Sequence, residues 1–183
     1  KFDLKPERVG ELSQKIVKSK EIFNMAFERF DSRDTRVIWS GGKDSTLTLW
    51  LCLEFCRQTH RAFPRVFTID EGDSFAEIDD ILKSCSKKWE IELDWGRKDD
   101  VLAAAGHELN SDVVVADLNA RNQKEIQRIG FDLQRFPFEA ESYVGNHLMK
   151  TVVLNTYLED NRVKAVFQGI RWDEQTARSN DEY

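Results

Sequence analysis

Cysteine, proline and methionine are all scarce in this chain: of 183 residues, three are Cys, three Pro and two Met. Three thiols, Cys52, Cys56 and Cys85, are too few and too scattered for a disulfide framework. Cys52 and Cys56 lie four apart in an apolar run with no His beside them, the pattern of buried core thiols rather than metal ligands. The nearest His, His60, falls at an expected helix end. Neither a zinc site nor an iron–sulfur cluster is expected, and the cysteine usage fits a cytoplasmic protein. Long apolar runs are missing too. The longest uncharged stretch, residues 45–53, is about half of a membrane span, so no membrane helix is expected. Residues 1–20 alternate charged and apolar side chains and lack the core of a signal peptide. Positive charge is also short: 27 Lys and Arg face 33 Asp and Glu, a net charge of −6. Phosphate backbones demand clustered Lys and Arg, so a nucleic-acid partner is disfavoured. A small anionic ligand needs only a local pocket and stays open.

What is present is the balance of a globular domain, 40% hydrophobic and 33% charged. The length suits a single domain over residues 1–183, with a helical segment at 6–30. The chain begins at Lys1 without a Met and is expected to continue past Tyr183. After Pro6, the apolar residues Val9, Leu12, Ile16, Phe23, Phe27 and Phe30 recur at spacings of three, four and seven. They predict an amphipathic helix that covers a sheet, with an interruption near Ser19 compatible with the pattern. Strands are expected at 36–39, 64–70, 91–95, 112–118 and 163–168. Helices are expected at 46–57, 75–89, 99–109, 121–134 and 147–159, and residues 173–183 read as a helix start or a loop. The helix at 46–57 carries few charges and is expected to be buried on several sides. Strands alternating with helices predict an α/β fold, a mostly parallel sheet with helices on both faces. Ligands of such sheets sit beyond the carboxyl ends of the strands, so the informative residues should follow strands.

Ser40-Gly41-Gly42-Lys43-Asp44-Ser45 does so, between the first strand and a helix. Adjacent glycines let the backbone turn sharply and come close to a ligand. The amides that open a helix lack intrahelical partners, and with the helix dipole they form an anion site. Lys43 adds a charge, Ser40 and Ser45 add hydroxyls, and Asp44 suits a cap or a metal-side carboxylate. The Walker spacing is absent, so this is no P-loop NTPase. Asp70 ends the second strand, where its carboxylate serves either a magnesium-bound phosphate or ribose hydroxyl, or simply a turn. Gly169 follows the last strand. Beyond it, Arg171 and Arg178 share one face if the stretch is helical, and two guanidiniums there suit an oxyanion.

The six residues at 40–45 resemble the PP-loop of the adenine-nucleotide α-hydrolase superfamily, a Rossmann-like group that cleaves ATP between its α and β phosphates or binds adenylyl-sulfate nucleotides. Two further blocks narrow the resemblance to the phosphoadenosine-phosphosulfate reductase family. Ile69-Asp70-Glu71-Gly72 with Phe75 and Glu77 is similar to its Asp-Thr-Gly…Phe-x-Glu block, Glu71 standing where Thr is usual. Gly169-Ile170-Arg171-Trp172-Asp173-Glu174, with Arg178, is similar to its Gly-x-Arg-x-Asp-Glu…Arg block. The resemblance spans about residues 20–183 and is poorest over 118–146. It implies nucleotide binding by Ser40, Gly41, Gly42, Lys43, Asp44, Ser45, Asp70 and Gly169. It implies sulfate or phosphate binding by Lys150, Arg171 and Arg178, with Lys43, Asp44 and Arg171 closest to the chemistry.

Two branches of the family compete. Cluster-dependent reductases carry an adjacent Cys pair that falls here on Gly145 and Asn146, which speaks against a cluster. From Met149-Lys150-Thr151 onward the sequence resembles the small subunit of sulfate adenylyltransferase, with Lys150 opening a helix. The first expectation is therefore adenylyl transfer from ATP to sulfate with release of pyrophosphate. The loop would grip the β and γ phosphates, arginines would hold sulfate in line, and Mg²⁺ would arrive with the nucleotide. The alternatives are a reductase whose catalytic Cys lies past Tyr183, a PP-loop sulfur-modification enzyme, or a nucleotide-binding subunit without activity of its own. The expected partners are the nucleotide and sulfate, with a GTPase subunit or a second copy of the chain.

Overall fold

The computed structural model describes residues 5–72, 75–108, 110–139 and 142–170. They contain helices α1 (Pro6–Arg29), α2 (Lys43–Thr59), α3 (Ala76–Trp89), α4 (Asp99–Ala104), α5 (Ala120–Arg128), α6 (Tyr143–Asn146) and α7 (Val152–Asp160). The strands are β1 (Thr35–Ile38), β2 (Arg65–Ile69), β3 (Leu93–Gly96), β4 (Asp112–Val114), β5 (Arg135–Pro137) and β6 (Ala165–Phe167). One sheet has the order β3-β2-β1-β6, and β4 pairs with β5 in a second. β1 and β6 run parallel, Thr35 opposite Ala165 and Val37 opposite Phe167. This is the α/β, mostly parallel architecture that alternating elements predict. The described residues fall into two compact units, one within Lys1–Val66 and Val163–Tyr183, the other within Phe67–Arg162.

In the first unit, α1 uses the distal part of its apolar stripe. Phe23 meets Phe167 of β6 edge-on at 5.0 Å between ring centroids, and Phe27 stacks on Phe55 of α2 at 6.0 Å. Burying each such ring contributes about 1.5–3 kcal/mol. The proximal part of the stripe, Val9, Leu12 and Ile16, is exposed, so the helix covers less than its periodicity implies. It runs without interruption through Ser19, whose hydroxyl donates to the Lys15 carbonyl instead of breaking the helix. α2 begins at Lys43 rather than 46 and ends on His60, which adopts a left-handed conformation with φ 54°. Cys52 and Cys56 lie in the core, as their setting predicts. Leu47 and Trp50 are exposed, however, so α2 is amphipathic and not buried all round.

The second unit packs around Val101, Leu102, Val113, Ile126, Phe136, Phe138 and Leu148. Several expected elements are shorter here. α4 stops at Ala104, where Gly106 and His107 both take positive φ. α5 stops at Arg128, before Gly130 at φ 72°. The expected strand at 112–118 ends at Val114 and continues as a 3-10 turn. β5 carries no strand signal in the sequence, and its antiparallel pairing with β4 departs from the parallel pattern. The expected helix at 147–159 begins earlier, at Tyr143, capped by the Ser142 hydroxyl, and passes through a π-helical turn at His147–Thr151. Lys150 therefore lies inside a helical run instead of opening one.

Candidate functional site

The turn between β1 and α2 is built by short contacts within residues 39–46. Trp39 is fully buried and its indole Nε1 donates to Thr46 Oγ1 at 2.8 Å, tying the strand end to the helix start. Gly41 sits at φ 77°, a conformation that favours glycine. Ser45 Oγ lies 3.0 Å from Ser40 Oγ, accepts from the Ser40 amide at 3.3 Å and donates to the Gly42 carbonyl at 3.1 Å. The two serines thus clasp the turn from inside. The first helical bond runs from the Thr46 amide to the Gly42 carbonyl at 2.9 Å. The amides of Lys43, Asp44 and Ser45 precede it and have no intrahelical acceptor. Lys43 is exposed and Asp44 half-buried. The result is a row of helix-start donors at the positive end of a helix, the chemistry that holds a phosphate.

The glycines of this region do different jobs. Gly42 has φ −68°, open to any residue, and a Cβ there would lie 3.5 Å from Ser40 Oγ, an ordinary contact. Neither the backbone conformation nor the packing requires glycine at 42. Gly169 is the opposite case. A Cβ there would stand 2.7 Å from the Asp44 carbonyl oxygen and 2.9 Å from the Ser45 nitrogen, so the chain leaving β6 packs directly on the first turn of α2. Beside this contact opens a cleft of about 990 Å³, lined by Asp44, Leu47, Thr48, Gly169 and Ile170 together with Phe23. That is the size range of small-molecule sites.

In the second unit, Asp70 closes β2. Its Oδ1 accepts the Gly72 amide at 2.9 Å, and its Oδ2 accepts from Nε of Arg97 at 2.8 Å and also from Nη2. The carboxylate is thus a turn cap and an ion-pair partner, already occupied, and a poor fit for a metal. Asp44 remains as a carboxylate beside the phosphate-type site. Sequence reasoning missed Arg97. It directly follows β3, and the rule that ligand-side residues follow strands was the signal that could have found it. Lys150 pairs with Glu71, Nζ to Oε2 3.0 Å. Glu77 is exposed in the first turn of α3. Arg171 and Arg178 lie outside the described residues.

The thiols and the Cys-pair position bear on the reaction. The Cys52 thiol is pushed up from its ordinary range by its hydrogen bond with Cys56 and by burial, which leaves it a poor nucleophile. At Gly145, a Cβ would stand 1.9 Å from the Glu139 carbonyl oxygen, so this backbone admits no cysteine. Asn146 offers no sulfur either, and the residues present do not fit an iron–sulfur cluster at this position. No helix among the described residues is long and apolar enough to cross a membrane.

Residues 35–183 match the model of the phosphoadenosine phosphosulfate reductase domain. The chain belongs to the phosphoadenosine phosphosulfate reductase domain family. One solved structure similar to this family member is that of phosphoadenylyl-sulfate (PAPS) reductase from Candida auris in a phosphate complex. It has 14% sequence identity and a TM-score of 0.55, over 94% of this chain and 71% of that one. At that identity the likeness concerns the fold. No curated protein matches the chain. The description of the matched family names the reductase, which supports the reductase alternative better than the adenylyl transfer that the sequence first favours.

Proposed function

We propose that this family member binds a sulfated adenine nucleotide, with phosphate oxygens on the amides of residues 41–45, and serves the reductive cleavage of its sulfur–oxygen bond. The observation that carries the reading is the clasped turn with helix-start amides that lack intrahelical acceptors, found in a chain of this family. In such a cleavage a thiolate attacks sulfur, the bond to the phosphate oxygen breaks, and the nucleotide leaves with the electron pair. The thiol then carries the sulfonate, and a second thiol releases it as sulfite. Cys52 and Cys56 are buried and Cys85 lies within α3, so this reading assigns the attacking thiol to residues outside the described ones or to a partner reductant. Lys43 offers its charge to the phosphates, and Lys150, Arg171 and Arg178 are the candidates for the sulfate end. Positioning and electrostatic stabilisation supply the catalysis asked of these groups.

Adenylyl transfer to sulfate is the second reading, favoured by Lys43 and Asp44 together at the phosphate site. Asp44 would then stand beside an Mg²⁺ that arrives with ATP and is held chiefly by phosphate oxygens. A GTPase subunit belongs to that reading only, and a second copy of the chain to either. One pair of assays separates them. The reductase reading expects sulfite from the sulfated nucleotide and a dithiol, and no pyrophosphate from ATP, Mg²⁺ and sulfate. Pyrophosphate without sulfite would reverse the order.

A further inference from the structure

Two carboxylates just past β2, Asp70 and Glu71, each hold a cation: Arg97, which follows β3, and Lys150 of the π-helical turn. Arg97 is gripped by Asp70 through two nitrogens, and that carboxylate is only 13% exposed and fixed by the Gly72 amide as well. Glu71, the next residue, holds Lys150 through a single contact of 3.0 Å, with the Lys150 side chain 32% and the Glu71 side chain 29% exposed. A planar two-nitrogen grip is stronger and more directional than one ammonium contact on a flexible stem. The charges of Asp70, Glu71, Arg97 and Lys150 cancel. An incoming anion therefore gains no net attraction until one of the pairs opens, and Glu71–Lys150 is the looser.

The geometry points to Glu71 as a positioning residue that restrains Lys150, releasing its ammonium only to a phosphate or sulfate oxyanion that displaces the carboxylate. The inference rests on the proposed function in taking an anionic ligand at this strand edge. It says something further: the affinity for that anion is held down by an internal competitor. A scaffold role for Glu71 gives the opposite sign, because loss of the carboxylate would then leave Lys150 misplaced and binding weaker.

The test uses the full chain, calorimetry at fixed ionic strength, and two probes, inorganic sulfate and adenosine 3′,5′-bisphosphate. Glu71→Gln keeps the shape and removes the charge, and should tighten anion binding by about three- to tenfold, the range of a modest ion pair. Lys150→Ala should weaken binding. The double variant should match Lys150→Ala, because without the ammonium there is nothing to release. Glu71→Thr repeats the test should the Gln variant fold poorly. A tightening that persists in the double variant, or unchanged or weaker binding in Glu71→Gln and Glu71→Thr, overturns the restraint. Bisphosphate that binds equally to wild type and Glu71→Gln sinks the restraint and leaves the nucleotide reading standing. A Lys150-dependent gain for sulfate, with no bisphosphate binding to any variant, does the reverse.

Discussion

The turn at residues 40–45 and the strand edge at residues 70–72 both offer groups that suit an anion, but they hold those groups in opposite states. At the first, the donors are backbone amides fixed by the helix start and free of intrahelical acceptors, and the serine clasp 3.0 Å across keeps the turn in shape without using them. At the second, Arg97 and Lys150 are both occupied by carboxylates. A ligand meeting the amides displaces only water. A ligand meeting the cations must also displace a neighbour. Preorganised donors of the first kind set affinity, and exchangeable pairs of the second kind modulate it.

The sharpest way to break this contrast is Gly42→Ala. The extra methyl fits the protein, at 3.5 Å from Ser40 Oγ, and on the proposed reading it crowds a phosphate drawn to the neighbouring amides. Nucleotide affinity should fall at least a hundredfold, about 2.7 kcal/mol, while the lost cap preference costs about 1 kcal/mol of stability or less. Calorimetry and a melting curve on the same sample check both. Gly169→Ala should do the reverse. Its methyl meets the Asp44 carbonyl oxygen at 2.7 Å, so the fold itself should lose about 1–3 kcal/mol, read as a lower denaturation midpoint. A neutral Gly169→Ala would mean that the strand exit does not pack on α2. The smallest effect is kinetic. Cys52 is fully buried and its thiol is pushed up by the Cys56 hydrogen bond and by burial, so it stays protonated through neutral pH. Iodoacetamide should modify half-buried Cys85 first and reach Cys52 only on unfolding, by mass spectrometry of the peptides. Rapid native labelling of Cys52 would restore it as a candidate nucleophile.

The contrast also explains what the sequence makes legible. The turn is local. Strand, two glycines, Lys43, Asp44, Ser45 and helix are contiguous, and each hydrogen bond that shapes it spans at most seven residues, as from Trp39 to Thr46. The pairs at the second site join residues 27 positions apart for Arg97 and Asp70. Composition and periodicity carry no record of such pairs, so Asp70 reads from sequence as either a ligand residue or a turn cap. β5 is hidden for a related reason. Arg135–Pro137 is three residues long and includes a proline, too short for alternation to show, and only its partner β4 makes it a strand. The same holds for the start of the last helical run, where the Ser142 cap precedes a π-turn that breaks the 3.6-residue period. The exposed half of the α1 stripe gives the converse lesson: period fixes which face is apolar, and tertiary structure fixes how much of it is covered.

The central claim is that backbone amides at the start of α2 bind the nucleotide's phosphates. Its most direct test is a titration of ¹⁵N-labelled protein with adenosine 3′,5′-bisphosphate, followed amide by amide. The account predicts that the largest shifts fall on Gly41, Gly42, Lys43, Asp44 and Ser45, and that Gly42→Ala removes them. Saturable binding that leaves those five amides unmoved would contradict it.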